Sequence, residues 1–146
     1  MQTITPFLWF DRSVEEAVRF YVSVFPDTRI VSMNPMSATF ELQGQTFMAL
    51  NGGPMYKFTE AVSFFLRCET QAEVDDYWRK LTADGGSEQA CGWLKDKYGL
   101  SWQVIPTALG RYLADPDRAK AQRVMQAMLK MTKIDIAALD RAAEAG

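Results

Sequence analysis

The acid–base and nucleophilic chemistry open to this 146-residue chain is limited, because it contains no histidine. Histidine is the commonest metal ligand and the usual acid or base near neutral pH. The remaining candidates for a metal-independent lyase or isomerase are Glu41, Cys91, Lys95 and Asp96.

Each candidate also has an ordinary structural interpretation. Lys95 and Asp96 adjoin a predicted hairpin, where a solvated charge pair is common, and Glu41 is predicted to be an exposed strand residue. Cys91 has no histidine base to activate it, so a small buried hydrophobe is the simpler interpretation. The catalytic residues therefore stay unknown at this level.

The strands and helices that must position these residues occur as two similar series along the chain. Ser13 and Glu16 form one Ser/Thr-x-x-Glu capping box and Thr70 and Glu73 another, 57 residues later. Each box follows an apolar strand-like run, and glycine turns at Gly44 and Gly99 recur at an offset of 55. We infer a duplicated unit of one strand, one helix and three strands.

Periodicity and turn residues predict the element bounds. The first unit has strands at 4–10, 28–33, 37–42 and 46–50 and a helix at 13–25; the second has strands at 62–68, 88–91, 93–97 and 100–105 and a helix at 70–83. Helices are then expected at 108–114, from Asp115-Pro116 onward, and at 135–145. This is one α+β domain over 1–146, with modules at about 1–53 and 60–106 and C-terminal helices at 107–146.

The helix after Asp115-Pro116 carries an apolar stripe. A ligand-adaptable patch is one interpretation of its methionines, but a core or dimer seam is simpler at helical spacing. The stripe consists of Val124, Met125, Met128, Leu129 and Met131.

The bulk properties restrict partners and location. A formal charge of −2 and a pI near 5.2 argue against nucleic acid, whose phosphates need a basic surface. No apolar run approaches the roughly 20 residues of a membrane span, and no signal peptide is visible. Cys68 and Cys91 are therefore expected to be free thiols in a cytoplasmic protein.

A strand–helix–three-strand unit used twice resembles the vicinal-oxygen-chelate superfamily, which includes glyoxalase I and bleomycin-resistance proteins. The PhnB-like branch, often labelled 3-demethylubiquinone-9 3-methyltransferase-like, is more similar still. The residues that carry this resemblance are 5–11, 20–21, 24–26, 47–54, 91–96 and 101–104, and it extends over the 120–131 helix. It implies that the two modules form cupped mixed sheets around a cavity.

The resemblance also implies where metal ligands would lie. Metalloenzymes of the superfamily use four inward-facing His or Glu residues, from the first and last strands of each module. In this chain the corresponding positions are Pro6, Met48, Ser63 and Gln103. Catalytic divalent metals prefer imidazole or carboxylate ligands, and one-residue shifts reach no better donor. We expect no metal site and no cofactor.

Methyl transfer finds no support beyond the branch label. A methyltransferase using S-adenosylmethionine ordinarily needs a glycine-rich loop between a strand and a helix of a parallel sheet. Neither Gly52-Gly53 nor Gly85-Gly86 has that context. A metal-independent lyase or isomerase remains the alternative enzyme.

The favoured hypothesis is a metal-free module that binds a small molecule of unknown identity. Strand alternation directs a mainly apolar set with a few polar groups toward the implied cavity, the usual makeup of a ligand pocket. The set is Leu8, Met48, Leu50, Ser63, Phe65, Ser101 and Gln103, with Trp93 near the wall. The alternative is that the protein's own side chains fill the space between the curved sheets, so that no ligand of consequence binds there. A homodimer is expected in either case.

Overall fold

The computed structural model describes residues 2–146 and divides the chain into two compact units. The first ends at Phe58 and the second runs Thr59–Gly146. Each unit contains one four-stranded mixed sheet with its helix, so the duplicated α+β architecture predicted from the sequence is confirmed. Neither sheet closes into a barrel.

Unit one consists of β1 (Phe7–Phe10), α1 (Val14–Val24), β2 (Thr28–Met33), β3 (Ser37–Leu42) and β4 (Gln45–Asn51). The strand order is β1-β4-β3-β2, with β1 parallel to β4 and the other pairs antiparallel. In the chain, α1, β2 and β3 lie between β1 and β4, and together they form the long crossover that a parallel pair of strands needs.

An aromatic core joins α1 to its sheet. Tyr21 of α1 stacks on Phe40 with ring centroids 6.5 Å apart, and Phe40 stacks on Phe47 at 5.4 Å. All three side chains are at least nine-tenths buried. The alternation of apolar residues in β3 and β4 thus presents one face of the sheet to the helix.

The first predicted capping box is not formed. The Ser13 side chain makes no cap hydrogen bond, and the first helical amide, that of Val14, donates instead to Oδ1 of Asn51 at 2.9 Å. Asn51 lies at the end of β4, far from α1 in the sequence. Its side chain therefore stabilises the start of the helix, which the neighbouring Ser13 was expected to do.

Unit two repeats the plan with β5 (Ser63–Cys68), α2 (Gln71–Thr82), β6 (Ser87–Glu88), β7 (Trp93–Lys95) and β8 (Ser101–Pro106). Its strand order is β5-β8-β7-β6, and β5 is parallel to β8. Here the Thr70 half of the box is present, since Thr70 Oγ1 accepts from the Glu73 amide at 3.2 Å. The Glu73 carboxylate accepts from the amide of Glu69, one residue before the N-cap, at 3.3 Å.

One predicted strand bound in unit two is wrong for a backbone reason. The predicted 88–91 strand ends at Glu88, because Ala90–Gly92 forms a 3₁₀ turn. Cys91 and Gly92 both lie in the left-handed region, with φ of 60° and 84°. Consecutive left-handed residues turn the chain sharply and cannot belong to an extended strand.

Three helices follow, α3 (Thr107–Leu113), α4 (Arg118–Met128) and α5 (Ile136–Glu144). The α4 helix is capped by Asp117, whose carboxylate accepts from the Lys120 amide, and not by the expected Asp115-Pro116 pair. The helices share a core made of Ile105, Leu109, Val124, Ile134, Leu139 and Ala143. Met128 and Met131 pack against it, whereas Met125 and Leu129 are exposed, so the predicted stripe is narrower than expected.

Gln71, the first residue of α2, holds the segment between α4 and α5. Its amide nitrogen donates to the Ile134 carbonyl at 3.0 Å, and its amide oxygen accepts from the Ile136 amide at 2.8 Å. Lys133 adds an ion pair with Asp75 at 2.7 Å. The C-terminal helices are therefore linked to α2 by specific polar contacts, in addition to the core that they share with Ile105 of β8.

None of the helices within residues 2–146 has both the length and the hydrophobicity needed to cross a membrane.

Candidate functional site

The candidate site in unit two lies on the sheet face opposite α2, which we call the distal face. The strand register places residues in two adjacent rows across β5, β8 and β7. One row is Phe65, Gln103 and Trp93, and the next is Ser63, Ser101 and Lys95. Four residues predicted from strand alternation thus lie on one face, together with Trp93, which the sequence placed near the wall, and with Lys95.

The first row combines exposed aromatic surface with an amide. Phe65 is 53% exposed although it sits in the middle of β5, and Trp93 is half-buried. The amide nitrogen of Gln103 donates to Oγ of Ser63 in the next row at 3.0 Å. This bond uses one Gln103 donor and leaves the Ser63 hydroxyl proton free to donate.

The second row contains an unsatisfied hydroxyl. Ser101 is fully buried, and its Oγ has no hydrogen-bond partner among residues 2–146. Lys95, on the neighbouring strand, forms an ion pair with Glu60 at 3.0 Å. The hydrogen bond from Lys95 lowers the pKa of the Glu60 carboxyl, and the positive charge of Lys95 acts in the same direction.

Asp96 is a structural residue and not the solvated partner of Lys95 that the sequence suggested. It is only 2% exposed. Its carboxylate accepts from the amides of Tyr98 and Leu100 and from the indole nitrogen of Trp102. Because its carboxylate accepts all three hydrogen bonds, Asp96 fixes the β7–β8 turn and is not placed to act as an acid or base.

Cys91 lies just before the site, at the left-handed turn that leads into Trp93. Its amide donates to the Met131 carbonyl at 2.9 Å, and the Gly92 amide donates to the Thr132 carbonyl at 2.8 Å. A side chain at Gly92 would meet Ile134 and Ile105, at 3.1 and 2.7 Å. The loop before α5 therefore holds the backbone that positions Trp93.

The candidate residues of unit one lie on the sheet face opposite α1. Met48 is in register with Phe7, and Leu50 with Trp9, so these four side chains share one face. Met48 is 38% exposed and Phe7 52%. We call this the distal face of unit one and describe it separately from that of unit two.

The prediction that Leu8 lies on this face is wrong. Leu8 is in register with Ala49, is 7% exposed and lies on the opposite, buried side of the sheet. The prediction assumed that the first strands of the two units are 57 residues apart, as the two capping boxes are. Phe7 partners Met48 whereas Phe65 partners Gln103, so the strand offset is 58 and every side chain of β1 changes face.

Phe7 and Trp9 are the distal-face residues that sequence reasoning missed, because β1 is apolar on both faces and shows no alternation. A signal was present in Gly52. A Cβ there would come within 2.2 Å of the Trp9 indole, whose nitrogen donates to the Gly53 carbonyl at 2.9 Å. The Tyr56 ring packs edge-on against Trp9 with centroids 5.0 Å apart.

Glu41, the remaining candidate in unit one, and the second cysteine, Cys68, are engaged elsewhere. Glu41 pairs with Arg29 at 2.6 Å, and the hydrogen bond between them raises the pKa of Arg29. Cys68 is fully buried, and burial raises the pKa of its thiol to about 12. A thiol with this pKa is almost entirely protonated at neutral pH and is a poor nucleophile.

Comparison with known proteins gives a family match over most of the chain. The profile of the 3-demethylubiquinone-9 3-methyltransferase family matches residues 2–105. The chain belongs to this PhnB-like family. The match ends before α3, so it does not reach the 120–131 helix that the sequence resemblance had included.

Solved structures agree with this membership and with the fold. The PhnB protein from Bacillus cereus is 36% identical, with a TM-score of 0.66, and the alignment covers 72% of this chain and 99% of that one. Protein PA1353 from Pseudomonas aeruginosa is 21% identical, with a TM-score of 0.59 and coverage of 73% and 98%. The fosfomycin resistance protein FosX from Mesorhizobium loti shares the fold, at 15% identity, a TM-score of 0.52 and coverage of 70% and 89%. A comparison with curated protein sequences finds no match.

The metal of the superfamily's metalloenzymes does not fit the residues present. Within residues 2–146, no three His, Cys, Asp or Glu side chains are grouped to hold an ion. The last-strand positions carry Met48 and Gln103, and their register partners are Phe7 and Phe65. A thioether, a neutral amide and two phenyl rings do not provide the imidazole or carboxylate ligands of a catalytic divalent metal.

Proposed function

We propose that this PhnB-like protein binds a small amphipathic molecule on the distal faces of its sheets and does so without a metal ion. The observation that carries the proposal is the Phe65–Gln103–Trp93 row, where exposed aromatic surface borders a hydrogen-bonding amide. Small-molecule sites typically combine a mainly apolar lining with a few placed polar groups.

The exposure of these apolar residues supports a binding role. Phe65 lies within β5 and Phe7 at the start of β1, and each is about half exposed. An aromatic side chain that served only folding would be buried at such a position. Clustered exposed apolar surface commonly marks an interaction site. On unit one, Met48 and Leu50 supply flexible aliphatic surface that can adapt to the shape of a ligand.

The catalytic alternatives have less support from the geometry. Asp96 is buried under three donors, Glu41 is paired with Arg29, and Lys95 is paired with Glu60. A lyase or isomerase that used one of these three residues would need its contacts to open. We keep binding as the main function and a metal-independent enzyme as the alternative.

Methyl transfer, which the family description suggests, has no local counterpart in the two glycine pairs. Gly52 and Gly53 follow β4, where their amides donate to the carbonyls of Phe10 and Asp11. Gly85 and Gly86 lie after the C-terminal end of α2. Neither pair opens a helix toward a phosphate or a nucleotide.

The homodimer expected from the sequence remains part of the proposal. Light scattering of the purified protein measures it: twice the chain mass is the expected result, and a single-chain mass contradicts it.

Native mass spectrometry of the freshly purified protein tests the binding proposal. We expect a small organic molecule bound to the wild type and lost in Phe65→Ser. Leu129→Ser is the matched control, because Leu129 is 54% exposed, nearly the same as Phe65, but lies after α4. Equal retention in both variants, or no bound molecule in any sample, contradicts the proposal.

A further inference from the structure

We propose that Ser63, Ser101 and Gln103 form a head-group site for an uncharged carboxamide on the ligand. This inference rests on the proposed binding function and specifies the chemical class that unit two recognises. The observation behind it is the buried, unpartnered hydroxyl of Ser101, beside the Gln103–Ser63 hydrogen bond.

The unpartnered hydroxyl has a cost that folding does not explain. A buried polar group without a partner destabilises the folded state by roughly 1–3 kcal/mol, and most native structures avoid it. Alanine at position 101 would fit the same space without that cost. A residue that reduces stability at the centre of a candidate site is most simply retained for what it binds.

The three side chains have complementary unused capacity. Ser63 accepts from Gln103 but has its own proton to donate, and Ser101 can both donate and accept. The carbonyl oxygen of Gln103 accepts none of the hydrogen bonds found among residues 2–146. The site therefore offers two hydroxyl donors and one amide acceptor.

A carboxamide matches this set. Its carbonyl oxygen has two lone pairs for the hydroxyls of Ser63 and Ser101, and its N–H can donate to the Gln103 carbonyl oxygen. The Gln103–Ser63 bond stays in place, because it uses a lone pair of the Ser63 oxygen and leaves the hydroxyl proton free. The head group then adds three hydrogen bonds, and Ser101 gains its partner.

The surrounding charges favour a neutral head group over an anion. Lys95 lies in the Ser63–Ser101 row, but its ammonium group is already neutralised by Glu60 at 3.0 Å. A carboxylate would leave the Gln103 acceptor facing another acceptor. Next to the polar row, Phe65 and Trp93 provide apolar surface for a tail.

Three probes with one tail and different heads test the assignment: 4-phenylbutanamide, 4-phenylbutanoate and 4-phenylbutylamine, titrated into the full chain and followed by NMR chemical shifts. We expect the amide to bind about tenfold more tightly than either charged probe. Ser101→Ala should weaken amide binding by about tenfold while raising the melting temperature by about 2–4 °C. Ser23→Ala, at an exposed serine of α1 whose hydroxyl donates to the Phe20 carbonyl, is the control and should leave amide binding unchanged.

The outcomes separate the head-group assignment from the binding function. Equal affinity for the three probes, or tighter binding of the carboxylate, overturns the assignment and leaves binding intact. A Ser101→Ala variant that is less stable than the wild type and keeps its amide preference also overturns it. If no probe binds but the purified protein carries an organic molecule, the assignment fails alone; if neither is observed, both proposals fail.

Discussion

The carboxylate of Asp96 accepts a hydrogen bond from the indole nitrogen of Trp102 at 2.9 Å, across the turn between β7 and β8. The same carboxylate accepts from the amides of Tyr98 and Leu100. Asp96 thereby ties the turn to the α2-facing side of β8. Because side chains alternate along a strand, fixing Trp102 on that side also fixes Ser101 and Gln103 on the distal face.

Replacing Asp96 should therefore destabilise unit two. Asp96→Ala leaves two amides and one indole N–H without their acceptor, and we expect the free energy of unfolding to fall by about 3 kcal/mol. Urea denaturation measures the change. Asp84→Asn is the control, because Asp84 is exposed at φ of 56°, a conformation that asparagine tolerates. A loss below about 1 kcal/mol for Asp96→Ala would contradict this role.

The Trp9–Gly52 contact makes a similar prediction for unit one. Gly52→Ala would place a methyl group within 2.2 Å of the Trp9 ring, so the indole must move and lose its bond to the Gly53 carbonyl. We expect a loss of about 2–3 kcal/mol and a shift in tryptophan emission.

Gly110→Ala is the matched control for Gly52→Ala. Gly110 lies within α3 and has nothing within 4 Å of the position its Cβ would take. Alanine there should increase stability by up to about 1 kcal/mol, since glycine disfavours helix interiors. If the two substitutions have the same effect, the Trp9 contact is not what requires glycine at position 52.

The two hydrogen bonds of the Gln71 side chain predict a stability loss that extends from α2 to the C-terminal helices. Gln71→Ala leaves the Ile136 amide and the Ile134 carbonyl without their side-chain partner, and we expect a loss of about 1–3 kcal/mol. Hydrogen exchange should rise across α5 before it rises in β8. Gln126→Ala, on the exposed side of α4, should leave both quantities unchanged.

The two cysteines should differ in reactivity as pH rises. The pKa of Cys68 is raised to about 12 by burial, and the thiol is 0% exposed, so native protein at pH 8.5 should alkylate at the half-buried Cys91 first. The raised pKa also means that the stability contributed by the protonated Cys68 thiol is complete below about pH 9 and is lost as pH rises toward 12. Peptide mapping after iodoacetamide treatment measures the order, and early modification of Cys68 would contradict the burial.

Much of the fold follows from the sequence because its signals are local and repeated. The glycine turns predicted the β3–β4 and β7–β8 hairpins, and β2 and β3 have the predicted bounds. The failures involve distant partners. Asn51 caps α1 in place of Ser13. The loop before α5 holds Cys91 in a turn that the neighbouring sequence does not predict.

The residues of the candidate site could be predicted in strands where polar and apolar residues alternate. They could not be predicted in a strand that is apolar throughout. In β8, Ser101 and Gln103 alternate with buried Trp102 and Val104, so their common face could be inferred. In β1 all four residues are apolar, and only the register with β4 shows that Phe7 and Trp9, and not Leu8, share a face with Met48. The Ser101 hydroxyl could not have been identified as unpartnered from sequence at all.

An organic ligand should bind to this protein without a metal ion. Native mass spectrometry after dialysis against a chelator tests it most directly, with elemental analysis of the same sample. We predict that the bound organic mass persists after dialysis and that zinc, nickel, manganese and iron are each far below one per chain. About one metal ion per chain before dialysis, with the organic mass lost when that ion is removed and recovered when it is returned, would contradict the claim.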